Sequence, residues 1–301
     1  MRNDTMGLYY GATELPATGV EKPPKFTPRL SESVAMGGDF RTLYLVPRDD
    51  ASTFFQMQGD LYLAVNPTKQ LTLYLDRGLY GSFEIFGLYR DLPAGGYLKI
   101  GRFIPPYGLK LADHTSFIRD DLGFGSRGKE TGLEGGIAPG PVTLQVAVVN
   151  GSGETLFDEN TPKAISLLAS GRYRFFTIGG SFYRNETSAG IRTLGGVFGT
   201  AALWKFVYSG EGDWETNDPG DDRFAAYHEL NIAARRGLDV EVKYDFIDPS
   251  RRIKDDARHR VGAGVSVIPV PSVEVEVLYY VNRETPNRKN DQFITGVHLW
   301  F

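Results

Sequence analysis

From Val34 onward, apolar and polar positions alternate in short segments that stop at turn residues and then resume. In 69–78, Leu71, Leu73 and Leu75 oppose Thr72, Tyr74 and Asp76, and in 142–150, Val142, Leu144, Val146 and Val148 oppose Thr143, Gln145 and Ala147. A period of two sends the two sets to opposite faces of a β-strand. The same pattern predicts strands at 34–47, 53–66, 82–90, 95–103, 129–138, 163–174, 176–186, 191–201, 203–211, 223–235, 238–247, 258–268, 272–282 and 292–301. In 53–66 it places Phe55, Met57, Leu61, Leu63 and Val65 on the apolar side, with a slip at Gly59. The sum is about sixteen strands, an even number within the range of single-chain bacterial barrels. The hairpins near Phe175-Phe176 and Ala201-Ala202-Leu203 lack a Gly-Asn type turn, and losing one of them leaves fourteen.

The connections carry a second pattern. Short ones fall at 66–69, 93–95, 139–141, 235–237 and 269–271, and between them lie longer polar ones at 48–50, 104–128, 151–162, 212–222, 248–256 and 283–291. Short and long alternate, as when a barrel has tight turns at one rim and free loops at the other. A soluble sandwich or propeller has no reason for that rhythm.

The last strand, Gln292 to Phe301, puts Phe293, Thr295, Val297, Leu299 and Phe301 on one face and Gln292, Ile294, Gly296, His298 and Trp300 on the other. A terminal strand with an oily outer face ending on Phe resembles the outer-membrane β-barrels of Gram-negative bacteria, of the porin type. The resemblance is to an architecture and covers roughly 34–301. It implies an all-β, transmembrane antiparallel barrel of about sixteen strands in the outer membrane, surrounded by lipid and lipopolysaccharide. It also implies that Phe301 is read by the barrel assembly machinery. Porins of this size are often trimers, and the residues themselves leave homo-oligomerisation open.

Composition agrees with that reading without deciding it. There are 36 Gly and 13% aromatic residues, useful for close strand approach and for interfacial girdles. The absence of Cys gives no disulfide framework and no thiol metal site. No run of about 18 apolar residues marks a spanning helix. Met1 to Gly7 lacks the apolar core of a secretory signal, so export would require a signal that has been removed. A net charge of -4 gives no footprint for nucleic acid. Residues 1–33, with Pro16, Pro23, Pro24 and Pro28, read as an extended periplasmic arm before the barrel at 34–301.

If the apolar faces meet lipid, the polar faces line the lumen. That assigns Asp60, Asp76, Glu84, Lys99, Glu134, Arg172, Arg174, Lys205, Glu229, Asp239, Glu241, Lys243, Asp245, Arg260, Glu274 and Glu276 to the pore wall. Charges that dense imply water inside, because burying them dry costs several kcal/mol each. Acidic residues predominate in the last third, and no ladder of Arg or Lys runs through the wall, which favours a weak cation preference over anion selectivity.

The stretch 104–128 lies where a third long loop begins. Pro105 and Pro106 end the strand because neither can donate to a ladder. Leu109, Leu111, Phe117, Ile118, Leu122 and Phe124 alternate irregularly with charges. In porins of about sixteen strands the third loop folds inward, and this stretch resembles it in position and length. The expectation is a constriction presenting Lys110, Asp113, His114, Arg119, Asp120, Asp121 and Arg127 to the channel.

Catalytic and metal chemistry find little support. Asp113-His114-Thr115-Ser116 sets a carboxylate, an imidazole and hydroxyls side by side, but adjacency in sequence does not make a triad. His228, His259 and His298 have no matching nucleophile nearby. Asp213, Glu215, Asp218, Asp221 and Asp222 crowd one segment, read as a solvated loop rather than a calcium site. No catalytic residue, metal or cofactor is assigned, and the chain reads as a passive porin for small hydrophilic solutes or ions, not an enzyme. The alternative is a barrel sheath holding a multihaem cytochrome across the membrane.

Overall fold

The computed structural model describes residues 29–78, 83–111, 113–125, 128–153, 155, 157, 158, 160–285 and 290–301. The described chain forms β1 (Val34–Pro47), β2 (Thr53–Val65), β3 (Leu71–Gly78), β4 (Phe83–Leu92), β5 (Gly96–Phe103), β6 (Glu130–Ile137), β7 (Val142–Val149) and β8 (Ala164–Tyr173). It continues with β9 (Phe176–Thr187), β10 (Gly190–Leu203), β11 (Phe206–Asp218), β12 (Arg223–Arg235), β13 (Leu238–Asp248), β14 (Arg258–Val270), β15 (Val273–Arg283) and β16 (Gln292–Trp300). A single short helix, α1 (Phe117–Asp120), interrupts the strands inside the 104–128 segment.

Every strand pairs antiparallel with its sequence neighbours, and β16 returns to β1 to close the barrel. Phe40 faces Leu299 and Thr42 faces Val297 across that seam, while Gly38 and Phe301 exchange backbone hydrogen bonds of 3.3 and 3.1 Å. Closure removes both sheet edges, so no strand is left with an unpaired row of amides. The arm at 1–33 lies outside the described residues up to position 28. Arg29 makes a bridge to Ala35.

The outer face is oily. Leu61, Leu98, Ile100 and Leu133 are 48–59% exposed on an isolated barrel, and their neighbours on the same faces are Leu63, Leu73, Leu144, Val146 and Val148. A continuous belt of that kind belongs in hydrocarbon, not water. Strands make the crossing, with all backbone groups paired from wall to wall. We call the rim where β1 begins and β16 ends the lower rim. Tyr173, Phe175, Phe176, Trp204 and Phe206 cluster there, and Tyr44 packs against Phe54 near the upper rim at 4.7 Å between centroids.

Three details differ from the sequence reading. First, a bulge between Arg41 and Thr42 leaves Met57 as an extra residue in β2, so the alternation flips there rather than at Gly59. Phe54, not Phe55, therefore shares the outer face with Tyr44. Second, two-residue turns at Arg174-Phe175 and Trp204-Lys205 close the two doubtful hairpins; Arg174 (φ 52°) and Trp204 (φ 56°) adopt the left-handed conformation usually left to Gly or Asn. The strand count is sixteen. Third, 212–218 is wall and not loop. β11 runs to Asp218, Trp214 faces outward, and Asp213 and Glu215 are buried inside the barrel. A polar run looks like a loop by composition, yet the inner face of a wet barrel is polar too.

Candidate pore constriction

The inward-folded 104–128 loop begins where β5 ends. Pro105 and Pro106 take the chain off the wall, and its freed backbone groups find new partners among the side chains of the lumen. The Ile104 amide donates to Glu84 Oε1 at 2.9 Å, and the Ser166 hydroxyl donates to the Pro106 carbonyl at 2.7 Å. The Gly108 amide donates to Ser181 Oγ at 2.8 Å, the Leu109 amide to Glu211 Oε2 at 2.7 Å, and the Tyr107 hydroxyl to Asp213 Oδ1 at 2.8 Å. Gly108 is in the left-handed region (φ 53°), and a Cβ there would lie 1.8 Å from Glu211 Oε1, so the turn admits no side chain.

The chain then crosses the lumen. At the far side Arg260 grips it: its Nη1 donates to Thr115 Oγ1 and its Nη2 to the Thr115 carbonyl, both at 3.0 Å. Arg260 is itself held by Asp245 Oδ2 at 2.8 and 3.0 Å, while Asp245 Oδ1 accepts the Phe117 amide at 3.0 Å. The Phe117 ring lies under the guanidinium groups of Arg258 and Arg260, at 4.8 and 4.9 Å. Asp113 accepts from the Thr115 amide and hydroxyl at 2.8 and 2.7 Å and from the Tyr280 hydroxyl at 3.2 Å.

The return leg packs back onto the first. Phe124 stacks on Tyr107 at 4.2 Å and meets Tyr183 edge-on at 5.2 Å. Ile118, Leu122 and Phe124 join Phe103, Tyr107 and the wall residues Leu194, Tyr227 and Ile247 in a buried apolar cluster inside the barrel. Each such side chain removed from water contributes roughly 1.5–3 kcal/mol. Buried Arg119 pairs with Glu211, and Arg192 donates to the Leu122 carbonyl and to Glu215 Oε2, both at 2.7 Å. The loop is thus fastened at two places, on β8–β11 and on β13–β15.

The residues expected to face the channel divide accordingly. Lys110 is exposed in the lumen and its ammonium donates to the Pro105 carbonyl at 3.4 Å. Asp113 and His114 are half-buried on the crossing leg, Asp120 is exposed, and Asp121 pairs with Arg258. Arg119 does not face the channel: it is 4% exposed and turned into the wall, because Glu211 and the aromatic cluster enclose it. Arg127 lies outside the described residues. Burial, opposed and outweighed by Lys243, Arg260 and the Thr115 hydrogen bonds, leaves the Asp113 carboxyl depressed to about 2. Burial and then Arg41 push the His114 imidazole down, against the opposite pull of Asp113.

Of the wall residues, Lys99 pairs with Glu134 at 2.8 Å, Lys129 with Asp76 at 3.4 Å, and Asp60 accepts from Gln58 at 2.7 Å. Glu84, Asp245 and Arg260 serve the loop rather than open water. Arg172 is the exposed penultimate residue of β8 and Arg174 lies in the turn beyond it, at the lower rim rather than on the wall, whereas Lys205, in the Trp204-Lys205 turn, lines the lower end of the chamber below the loop. Glu229, Asp239, Glu241, Lys243, Glu274 and Glu276 line one chamber below the loop, with a volume of about 420 Å³. Within it Lys243 lies 2.9 Å from Glu241 and 3.6 Å from Glu276, and His298 bridges Asp39 and Glu274 at 2.8 and 3.0 Å. Sequence reasoning missed Glu211, Asp213, Glu215, Arg192, Ser166 and Ser181. The signal for the first three was available, since they stand at i, i+2 and i+4 on one face.

No protein-family model matches the chain, and no curated protein matches it in sequence. Solved structures do match in fold. A loop-deletion mutant of the outer membrane protein OmpT of Vibrio cholerae superposes with a TM-score of 0.72 at 11% identity, covering 89% of this chain and 99% of that one. The fold is that of the outer-membrane porins. An anion-selective porin from Comamonas acidovorans gives a TM-score of 0.67 at 13% identity over 89% of this chain and 99% of its own. The outer membrane channel DcaP of Acinetobacter baumannii gives 0.67 at 10% identity, covering 92% and 100%. At such identities the likeness is one of porin-type barrel architecture.

Proposed function

We propose that this chain is a passive outer-membrane channel of the porin type for small hydrophilic solutes and ions, with the 104–128 loop as its constriction. The observation that carries the reading is the loop itself: a segment folded into a closed, membrane-spanning barrel, bound to both sides of the wall, beside a chamber lined with charge. The chamber holds six carboxylates (Asp113 and five wall residues) against Arg41, Lys205 and Lys243, so cations are favoured over anions.

A catalytic reading has less to stand on. Ser116 is fully buried, its hydroxyl directed to the Asp113 carbonyl at 3.3 Å, and Asp113 is engaged by Thr115 and Tyr280 rather than by His114. The loop, fastened across the lumen to Glu211 and Arg260, speaks against a sheath around a through-running cytochrome. The test is a planar-bilayer recording across a salt gradient. Stable conductance steps with a reversal potential of cation sign support the proposal; a silent barrel, or a potential of anion sign, contradicts the open pore or its selectivity respectively.

A further inference from the structure

The chamber below the loop is more than an acidic stretch of wall. Its wall carboxylates come from β12, β13 and β15 and are joined by Asp113 of the loop, and threaded among them is an apolar floor made of Leu43, Ile268, Leu278 and Ile294. Gly264 lies beneath that floor: a Cβ there would lie 2.1 Å from the Val277 carbonyl and 2.5 Å from Leu278 Cδ2, and Leu278 is buried over it. Across the chamber, at the lower rim, Val207 and Trp204 add a second apolar side.

The charges are unevenly matched. Lys243 is shared between Glu241 and Glu276, and His298 lies between Glu274 and Asp39. Glu229 accepts from neutral donors, the Tyr227 hydroxyl at 2.7 Å and the Asn231 amide at 2.9 Å. The chamber therefore keeps an excess of negative charge within a few ångströms of an apolar surface, in a space of about 420 Å³. That volume is within the range of small-molecule sites, which combine an apolar lining with a few placed polar groups.

We propose that this chamber is a binding subsite for amphipathic organic cations, small amines with an aromatic or branched apolar body. The ammonium group sits beside Glu229, whose partners are neutral, in the field of the other wall carboxylates, and the body lies on Leu278 and Ile294. Charge draws the cation in, and the apolar contact distinguishes it from an inorganic ion, which has nothing to place on the floor. An anion of the same shape meets the same floor and the wrong field. The proposal rests on the pore reading for its biological use, but binding itself does not require conduction.

Three probes separate the contributions: benzyltrimethylammonium, tetramethylammonium, which has the head without the ring, and benzoate, which has the ring with the opposite charge. Calorimetric titration of the detergent-folded full chain should show benzyltrimethylammonium binding about tenfold or more tighter than either control. In bilayers it should block current at correspondingly lower concentration. Glu229→Gln and Ile294→Thr should each weaken binding severalfold, the first through charge and the second through apolar contact. Equal binding of the three probes, or tight binding of the first that neither variant weakens, overturns the proposal. A barrel that discriminates among the probes yet never conducts keeps the subsite and overturns the pore; one that conducts without discriminating does the reverse.

Discussion

The two halves of the lumen come from the same alternating pattern and end as opposites. Along β7 to β10 the inward positions include Ala147, Val149, Ala164, Tyr183 and Leu194, and the loop lies on them as a packed core. Along β12 to β15 they include Glu229, Asp239, Glu241, Glu274 and Glu276, and the space beside them stays open as a chamber. An inward face that is apolar must be covered, and the inward-folded loop is its cover. An inward face that is charged must stay wet. The position of the waist follows from which strands carry which kind of inward residue, and the ion-paired posts at Glu211 and Arg260 set how far the loop reaches.

The largest expected effect comes from breaking the packed half. Arg119→Ala leaves Glu211 buried beside no guanidinium, which costs roughly 3–5 kcal/mol. Chemical denaturation of the folded barrel should show that loss, and bilayer recordings should show a noisier, larger current as the loop works loose. An unchanged midpoint would mean that the pair is not holding the loop. Next, Tyr107→Phe removes the donor to Asp213 and leaves a buried carboxylate short of a partner, at a cost of about 1–3 kcal/mol.

The open half is tested by charge rather than stability. Asp113→Asn should lower the cation preference in a reversal-potential measurement while leaving the fold intact. Its pH dependence follows from a carboxyl held near 2. Because the folded value lies below the ordinary one of about 3.9, the contribution of the charge is present above that value and is lost as pH falls through the folded one. The difference between wild type and Asp113→Asn should therefore persist from pH 7 to about 4 and fade near 2. A difference already half lost near pH 4 would place the carboxyl in ordinary solvent. The smallest effect is expected at the lower rim, where Arg174→Ala, in an exposed turn away from both halves, should change stability by within about 0.5 kcal/mol and selectivity hardly at all.

The wall was legible from alternation because a barrel exposes two environments with a period of two, and the last strand and the Val273 to Val281 face read without ambiguity. Polar wall and polar loop were harder to separate: Asp213 and Glu215 have the composition of a loop and the parity of a strand, and only the parity was right. The inward-folded position of the 104–128 segment was legible from its place in the order of connections. Its fastening was not, since Ser166, Ser181, Glu211 and Arg260 are brought to it by barrel closure across sequence separations of 60 to 145 residues. Arg119 misled because charge was taken to mean water, when a buried Glu211 waited for it. The turns at Arg174 and Trp204 were obscure because non-glycine residues took left-handed backbone there.

The central claim is that the loop is a constriction held across an open pore, and single-channel recording of the full chain beside a variant lacking 109–124 tests it most directly. Stable steps from both, with a severalfold larger conductance from the deletion and a reversal potential nearer zero, are the predicted result. Equal conductance from two folded barrels would contradict it.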